Sequence, residues 1–405
     1  MSTEATISQN ADNKVKDNSF LLAAIIFGMY ASFGMSWMGV VPVFLEIEKT
    51  LSIQHADATW IISIISLAKS FFPIVAGILA ARIGLYSSLK ISGLLILIGV
   101  IIPWLPNYYA WIVARFLFGI GGAMWVTLMG AVTMKIFPAE KRPLINSLNG
   151  VAVNCGVTFA LWYTIPLSAM FGWQKALSIY SLISAVFFIL LWLSGGIKGD
   201  TQNQNATSIK DILKGYLSTV KMPVTWIISL AFTGPLALYL VFNTWLPIYY
   251  IEVLKIPKLQ TMGLMASMNL FGIPAAIITG LLLQKFKKCK GFILAAVILL
   301  PVVSYFAIMS TTVSSIGLLL PLIGVGMFLS VSPIVTLLQC QPGMSPAIVG
   351  MILGTMFSAT YIVSSLIPGL VGYGYNHQMS LKFLLSLCCI LSVSPAAALV
   401  LKENS

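Results

Sequence analysis

Twelve apolar runs separated by short polar breaks leave this 405-residue chain few ways to fold. They fall near residues 20–45, 57–80, 88–105, 108–134, 144–167, 173–196, 224–250, 259–284, 291–309, 315–338, 346–372 and 379–401. A helix of about 20 residues crosses ~30 Å of hydrocarbon, and each run is close to that length or longer. Inside lipid a backbone must satisfy its own polar groups, which only helices and closed barrels do. The period-2 alternation of an outer-membrane barrel is absent. The reading is therefore an all-α membrane protein with twelve transmembrane helices. Composition agrees: only 8% of residues are charged, where a soluble domain carries roughly a quarter.

The net charge of +12 does not mark a nucleic-acid surface, because the basic residues sit in short gaps between apolar runs. No nucleic-acid partner is expected. With the N-terminus inside, the inner segments hold sixteen Lys and Arg and the outer segments five. That asymmetry predicts a multi-pass protein of the cell's inner (cytoplasmic) membrane with both termini cytoplasmic. Residues 1–19 read as a disordered cytoplasmic tail ahead of an uncleaved first span. Residues 20–196 form an N-terminal six-helix bundle, 197–223 a polar cytoplasmic linker, 224–401 a C-terminal bundle and 402–405 a second tail. The five cysteines show no Cys-x-x-Cys spacing and are expected to be packing residues.

Six spans on each side of one long connection point to an internal repeat. The second span ends Gly77-Ile-Leu-Ala-Ala-Arg82 and the eighth ends Gly280-Leu-Leu-Leu-Gln-Lys285. Gly119-x-Gly121 with Pro143 is echoed, more loosely, by Gly324-x-Gly326 with Pro346. The expected architecture is two pseudo-symmetric six-helix bundles.

The stretch from Gly77 to Leu89 resembles the loop 2–3 motif of the major facilitator superfamily, G-x-L-A-D-R-x-G-R-R-x-x-L. Gly77, Leu79, Ala80, Arg82, Gly84 and Leu89 keep the pattern, while Ala81, Leu85 and Tyr86 replace its Asp and its two later basic residues. Arg115-Phe-Leu-Phe-Gly119-Ile-Gly121 is similar to the family's fourth-helix R-x-x-x-G-x-G. The resemblance implies alternating access by two rocking bundles. Small residues at Gly77, Gly119, Gly121 and Gly280 would let helices approach closely. Arg82 and Lys285, at helix ends with unpaired carbonyls, would latch the halves in the outward-open state, and Ala81 in the Asp position implies a weaker or differently built latch. The fifth-helix G-x-x-x-G-P of drug–proton antiporters is not matched, since Gly150 is followed by Val-Ala-Val-Asn154. Asn243-Thr-Trp245-Leu-Pro247-Ile-Tyr249 resembles segments of the superfamily's organic-anion and cyanate-type permeases.

Every acidic residue lies in a tail, a loop or a span end, and neither His55 nor His377 is mid-span. Proton relays commonly use buried Asp, Glu or His, and none is expected at the midplane. Two cations are. Lys69 is about twelve residues from either end of its span, ~18 Å of helix, beyond the ~6 Å reach of a snorkelling stem. An ammonium at that depth costs at least ~2.5 kcal/mol. It therefore points to an aqueous cavity or an anion. Arg115 lies nearer a membrane face and reads either as a substrate contact or as a packing and gating residue. Tyr30, Trp37, Asn154, Asn243, Trp245, Asn269 and Tyr361 complete the candidate substrate site, although each of these residue types alone is more often helix–helix glue than a ligand.

There is no Gly-x-x-x-x-Gly-Lys-Ser/Thr loop for ATP and no His-Glu-x-x-His. No catalytic residue, metal or cofactor is expected, and the chain is not read as an enzyme. An electropositive cavity favours an anion. The expectation is a secondary active or facilitative transporter moving a small organic or inorganic anion by alternating access. Its expected partners are that small-molecule substrate, the lipid bilayer, and a coupling proton or counter-substrate, with the protein acting as a monomer. The alternatives are efflux of amphipathic compounds or drugs, which eighteen methionines would suit, and uptake of a neutral or zwitterionic nutrient such as an amino acid or sugar.

Overall fold

A computed structural model describes residues 2–137, 142–195, 209–286, 288–344 and 346–403. Twelve of its helices are long and apolar enough to cross a membrane: α1 Phe20–Leu51, α2 His55–Ala80, α3 Leu85–Trp104, α4 Tyr108–Thr133, α5 Val151–Phe171, α6 Trp173–Leu193, α7 Pro223–Val253, α8 Lys258–Leu283, α9 Cys289–Met309, α10 Val313–Gln339, α11 Met351–Asn376 and α12 Leu381–Val400. The chain is an all-α, multi-pass membrane protein. Two local features depart from the sequence reading. The first helix begins at Ser2 and runs unbroken to Met38, so the polar stretch expected to be disordered extends α1. That stretch has neither Gly nor Pro, and adding residues to an existing helix costs little compared with starting one. Part of the linker is helical as well. Ile209–Val220 lies against α11, with Gly215 beside the Met351 sulfur and Tyr216 beside Gly354. Residue 196 and linker residues 197–208 lie outside the described residues.

The two halves repeat one packing scheme. In the first, α2 packs on α4, α3 on α4, and α1 on α5 and α6; in the second, α8 packs on α10, α9 on α10, and α7 on α11 and α12. The halves meet chiefly along α2 against α11 and α5 against α8, contacts that the same repeat exchanges. Two pseudo-symmetric six-helix bundles are thus built from a common unit. With an even number of spans, the N-terminus, the linker and the C-terminus share one face, here called the linker face; the opposite one is the far face.

Backbones touch inside the bundles where side chains are missing. A Cβ added at Gly156 of α5 would land on the Ala31 carbonyl of α1, and one at Gly119 of α4 would sit 2.9 Å from the Ile65 Cα of α2. Gly121 presses α4 on α3, where the Ser92 hydroxyl donates to the Gly121 carbonyl at 2.6 Å. Gly77 and Gly280 differ from expectation. A Cβ on either meets nothing within 4 Å, so the glycine faces at the linker-face ends of α2 and α8 have no neighbour in this conformation, although Ala76, Thr279 and Leu283 on the same turns are buried. Arg82 and Lys285 are exposed. Neither forms an ion pair with a described residue in this conformation, whose far face is shut, whereas the expected latch belongs to the state open at that face; Lys285 Nζ lies 5.6 Å from the Phe286 ring. Gly156→Ala is accordingly expected to lower the thermal unfolding temperature of the detergent-solubilised protein, by about 1–3 kcal/mol of overpacking, while Gly77→Ala leaves it unchanged. Equal effects in the two variants would contradict this packing.

Candidate functional site

Lys69 stands halfway along α2 and is only 2% exposed. Its ammonium has no hydrogen bond or ion pair among the described residues. It is surrounded by aromatic faces. Nζ lies 3.8 Å from the centroid of Trp37, 5.2 Å from Phe33, 5.6 Å from Tyr361 and 5.9 Å from Tyr30. Three of these rings come from α1, where residues 30, 33 and 37 recur at helical spacing and share one face. The fourth, Tyr361, comes from α11 in the other half. The lysine therefore occupies the seam between the bundles.

The choice of rings over a carboxylate has an electrostatic consequence. A cation over a desolvated aromatic face gains ~2 kcal/mol or more, so several faces offset much of the cost of burying the ammonium. Unlike a carboxylate, they leave the net charge in place. When Lys69 is protonated, the seam holds an uncancelled positive charge that a bound anion can neutralise.

Polar groups adjoin this cage. The Tyr239 hydroxyl of α7 donates to Asn154 Oδ1 of α5 at 3.3 Å, a second link across the seam. Asn243 Nδ2 donates to the Tyr239 carbonyl at 2.9 Å, and Asn269 Nδ2 donates to Asn243 Oδ1 at 2.8 Å. Tyr30, Tyr239 and Tyr361 lie close enough to interact electrostatically. Of nine buried side-chain oxygens without partners among the described residues, three stand on the helices of this site: Ser66 Oγ, one turn before Lys69, Thr158 Oγ1, one turn after Asn154, and Asn269 Oδ1 of the polar chain. Buried polar atoms are normally paired, and such exceptions call for an explanation. A polar solute in the seam supplies one.

Two sequence candidates stand elsewhere. Arg115, 2% exposed, is spent on backbone carbonyls: Nε donates to Ile61 at 2.8 Å, and its two terminal nitrogens donate to Ser36 at 3.1 Å and Trp37 at 2.8 Å. Those contacts match the packing alternative. Trp245 donates from Nε1 to the Pro368 carbonyl at 2.9 Å and sits beside Tyr375 and His55, at the far face and away from the Lys69 cage. Of the nine substrate-site candidates, Lys69, Tyr30, Trp37 and Tyr361 form the cage, and Asn154, Asn243 and Asn269 form the polar chain.

The far face is closed by contacts between halves. Gly372 of α11 would place a Cβ 3.0 Å from the Ala56 Cα of α2. Asn376 Nδ2 donates to Gln54 Oε1 at 2.9 Å, and Lys258 Nζ pairs with Glu46 at 2.5 Å. His55 lies between Glu48 and Glu252. Sequence reasoning missed this cluster, since its members sit at span ends that join only when the bundles dock. It also missed Phe33, which the 30-33-37 spacing could have revealed.

Two six-helix bundles that share a buried, polar-lined seam, shut at one face and with free glycines at the other, define the carrier class of membrane proteins. Comparison with known proteins names the group. Residues 26–368 match the Major Facilitator Superfamily, and the chain belongs to that family. It is 24% identical over 398 residues to the uncharacterized transporter YycB of Bacillus subtilis (strain 168), covering 95% of this chain and 94% of that one. It is 24% identical over 190 residues to a protein of Staphylococcus carnosus (strain TM300) described as "Probable nitrate transporter NarT", covering 45% and 48% of the two chains. The fold matches the crystal structure of a point mutant of the nucleoside transporter NupG with TM-score 0.73 at 16% identity, covering 94% of this chain and 99% of that one.

Proposed function

We propose that this chain is a secondary transporter, active or facilitative, that carries a small organic or inorganic anion across the cytoplasmic membrane by alternating access. The observation that carries the reading is Lys69, a mid-membrane ammonium between the two bundles, stabilised by four aromatic faces and by no carboxylate among the described residues. Likeness to the staphylococcal relatives described as probable nitrate transporters supports the sign of the charge. The Lys and Arg asymmetry of the loops supports both termini and the linker lying in the cytoplasm, with the linker face the inner one and the far face the outer one. The conformation described is then closed to the outside. A coupling proton or counter-substrate completes the cycle, and one chain holds the whole seam, so a monomer suffices.

The test is flux in proteoliposomes of the full-length protein, with nitrate, formate and benzoate as anionic probes and a sugar, an amino acid and a lipophilic cation as controls. At least one anion is expected to enter about ten times faster or more than in empty liposomes, because bare hydrocarbon admits an ion only at a large desolvation cost. Flux of the sugar, the amino acid or the lipophilic cation without anion flux would overturn the reading.

A further inference from the structure

His55 opens α2 at the far face and contacts a carboxylate through each ring nitrogen. Nδ1 is 2.5 Å from Glu48 Oε1 of α1, in its own half, and Nε2 is 3.3 Å from Glu252 Oε1 of α7, in the other half. The second oxygen of Glu252 accepts from the Tyr375 hydroxyl of α11 at 3.2 Å. The rings of Tyr375 and Trp245 flank the imidazole, with centroids at 5.8 and 6.3 Å. Asp57 stands in the first turn of the same helix, and the Lys258–Glu46 pair closes the same face.

A neutral imidazole carries one N–H and one lone pair. It can donate to one of the two glutamates, and its bare nitrogen then faces the oxygen lone pairs of the other. Only the doubly protonated ring donates to both. Closing the far face over two ionised glutamates therefore takes up a proton, and parting the bundles separates Glu252 from the imidazole, which can then release that proton to water.

We infer that His55 is a proton-binding site on which closure of the far gate depends: one proton from the adjoining solution, bound between Glu48 and Glu252, ties the two bundles together. The inference rests on the alternating-access reading of the fold but not on the charge of the cargo. With the far face outward, acid outside favours the outward-closed form and alkali opens it. The link is a single group acting between two bodies, so its effect appears in the equilibrium between closed and open states.

The experiment measures that equilibrium directly and without any substrate. Spin labels are placed at exposed Thr50 and Gln260 through Thr50→Cys and Gln260→Cys, in full-length protein whose native cysteines are replaced by alanine, in lipid nanodiscs. Distances are recorded at about pH 5.5 and about pH 8.5, on either side of the ordinary imidazole range. In the parent protein the short distance is expected to dominate at the lower pH. At the higher pH a longer distance is expected to appear, with the short-to-long ratio falling roughly fivefold or more. His55→Gln should give one distribution at both pH values, and His55→Lys should remain short at both. If the His55 variants do not fold, Glu252→Gln, which leaves the His55–Glu48 contact intact, should also lose the pH step. A parent distribution that ignores pH, or a step that survives His55→Gln or Glu252→Gln, would overturn the inference. Because no cargo is present, failure of anion flux would sink the transport reading and leave this result standing, and the converse holds.

Discussion

Replacing Lys69 with methionine is expected to abolish anion transport while leaving the protein as stable as before or more so. The two halves of that outcome come from one cause. The ammonium is buried with no carboxylate or hydrogen-bond partner among the described residues, so folding bears its desolvation, at least ~2.5 kcal/mol on the mildest insertion scale, against the gain from its aromatic neighbours. Methionine keeps most of the stem's volume among Tyr30, Phe33, Trp37 and Tyr361 and removes the charge. Its sulfur also packs well on aromatic rings. The substrate, by contrast, loses its charged partner. A hydrogen bond to a charged group contributes ~1.5–3 kcal/mol, which is roughly 10- to 150-fold in affinity. Lys69→Arg should retain binding at reduced rate, since a planar guanidinium does not fit a cage shaped around a compact ammonium. Proteoliposome flux and thermal unfolding of the same preparations decide the matter. A structural lysine would give the reverse pattern, with Lys69→Met unfolding early and its folded fraction transporting normally.

Much of this was legible in the sequence, and the boundary between what was and was not has a physical basis. Lipid imposes a helix on any long apolar run, so the twelve spans could be read from hydropathy, and the superfamily from the residues around Gly77 and Arg115. Lys69 was visible because burying a charge so far from water is costly wherever its neighbours lie. The identity of its neighbours was only half legible: Tyr30 and Trp37 belong to one helix face, whereas Tyr361 joins from another bundle. Trp245 was misleading for the same reason. As part of a motif-like segment it reads as a binding residue, but its indole N–H caps the Pro368 carbonyl, a partner 123 residues away. His55, Glu48 and Glu252 look like ordinary span-end charges until docking of the halves places them side by side. Gly77 and Gly280 show a further limit. A carrier sequence encodes more than one conformation, and residues that pack in one state stand free in another.

Arg115 supplies the sharpest contrast with Lys69, since both are buried cations and the chemistry of their neighbours assigns them different work. The first helix stops at Met38, and the chain turns through Pro42, whose missing N–H prevents the helix from continuing. Carbonyls in a last helical turn have no partner within the helix. Met35 is satisfied by the Gly39 N–H at 2.8 Å, while Ser36 and Trp37 are satisfied by Arg115. The third contact, to Ile61, ties the same guanidinium to α2, so one side chain of α4 holds α1 and α2 together. Arg115→Leu should therefore leave two buried carbonyls unpaired at ~1–3 kcal/mol each, partly offset by relief of the buried charge. The expected net loss is about 2–4 kcal/mol, with a lower unfolding temperature and less folded protein in the membrane. Arg115→Lys should recover only part of it, because an ammonium has no rigid fork to span three carbonyls. Transport per folded molecule should stay near the parent's in Arg115→Lys. Should that variant unfold like the parent and yet lose anion flux, Arg115 would belong with Lys69 as a substrate contact and the assignment to packing would fall.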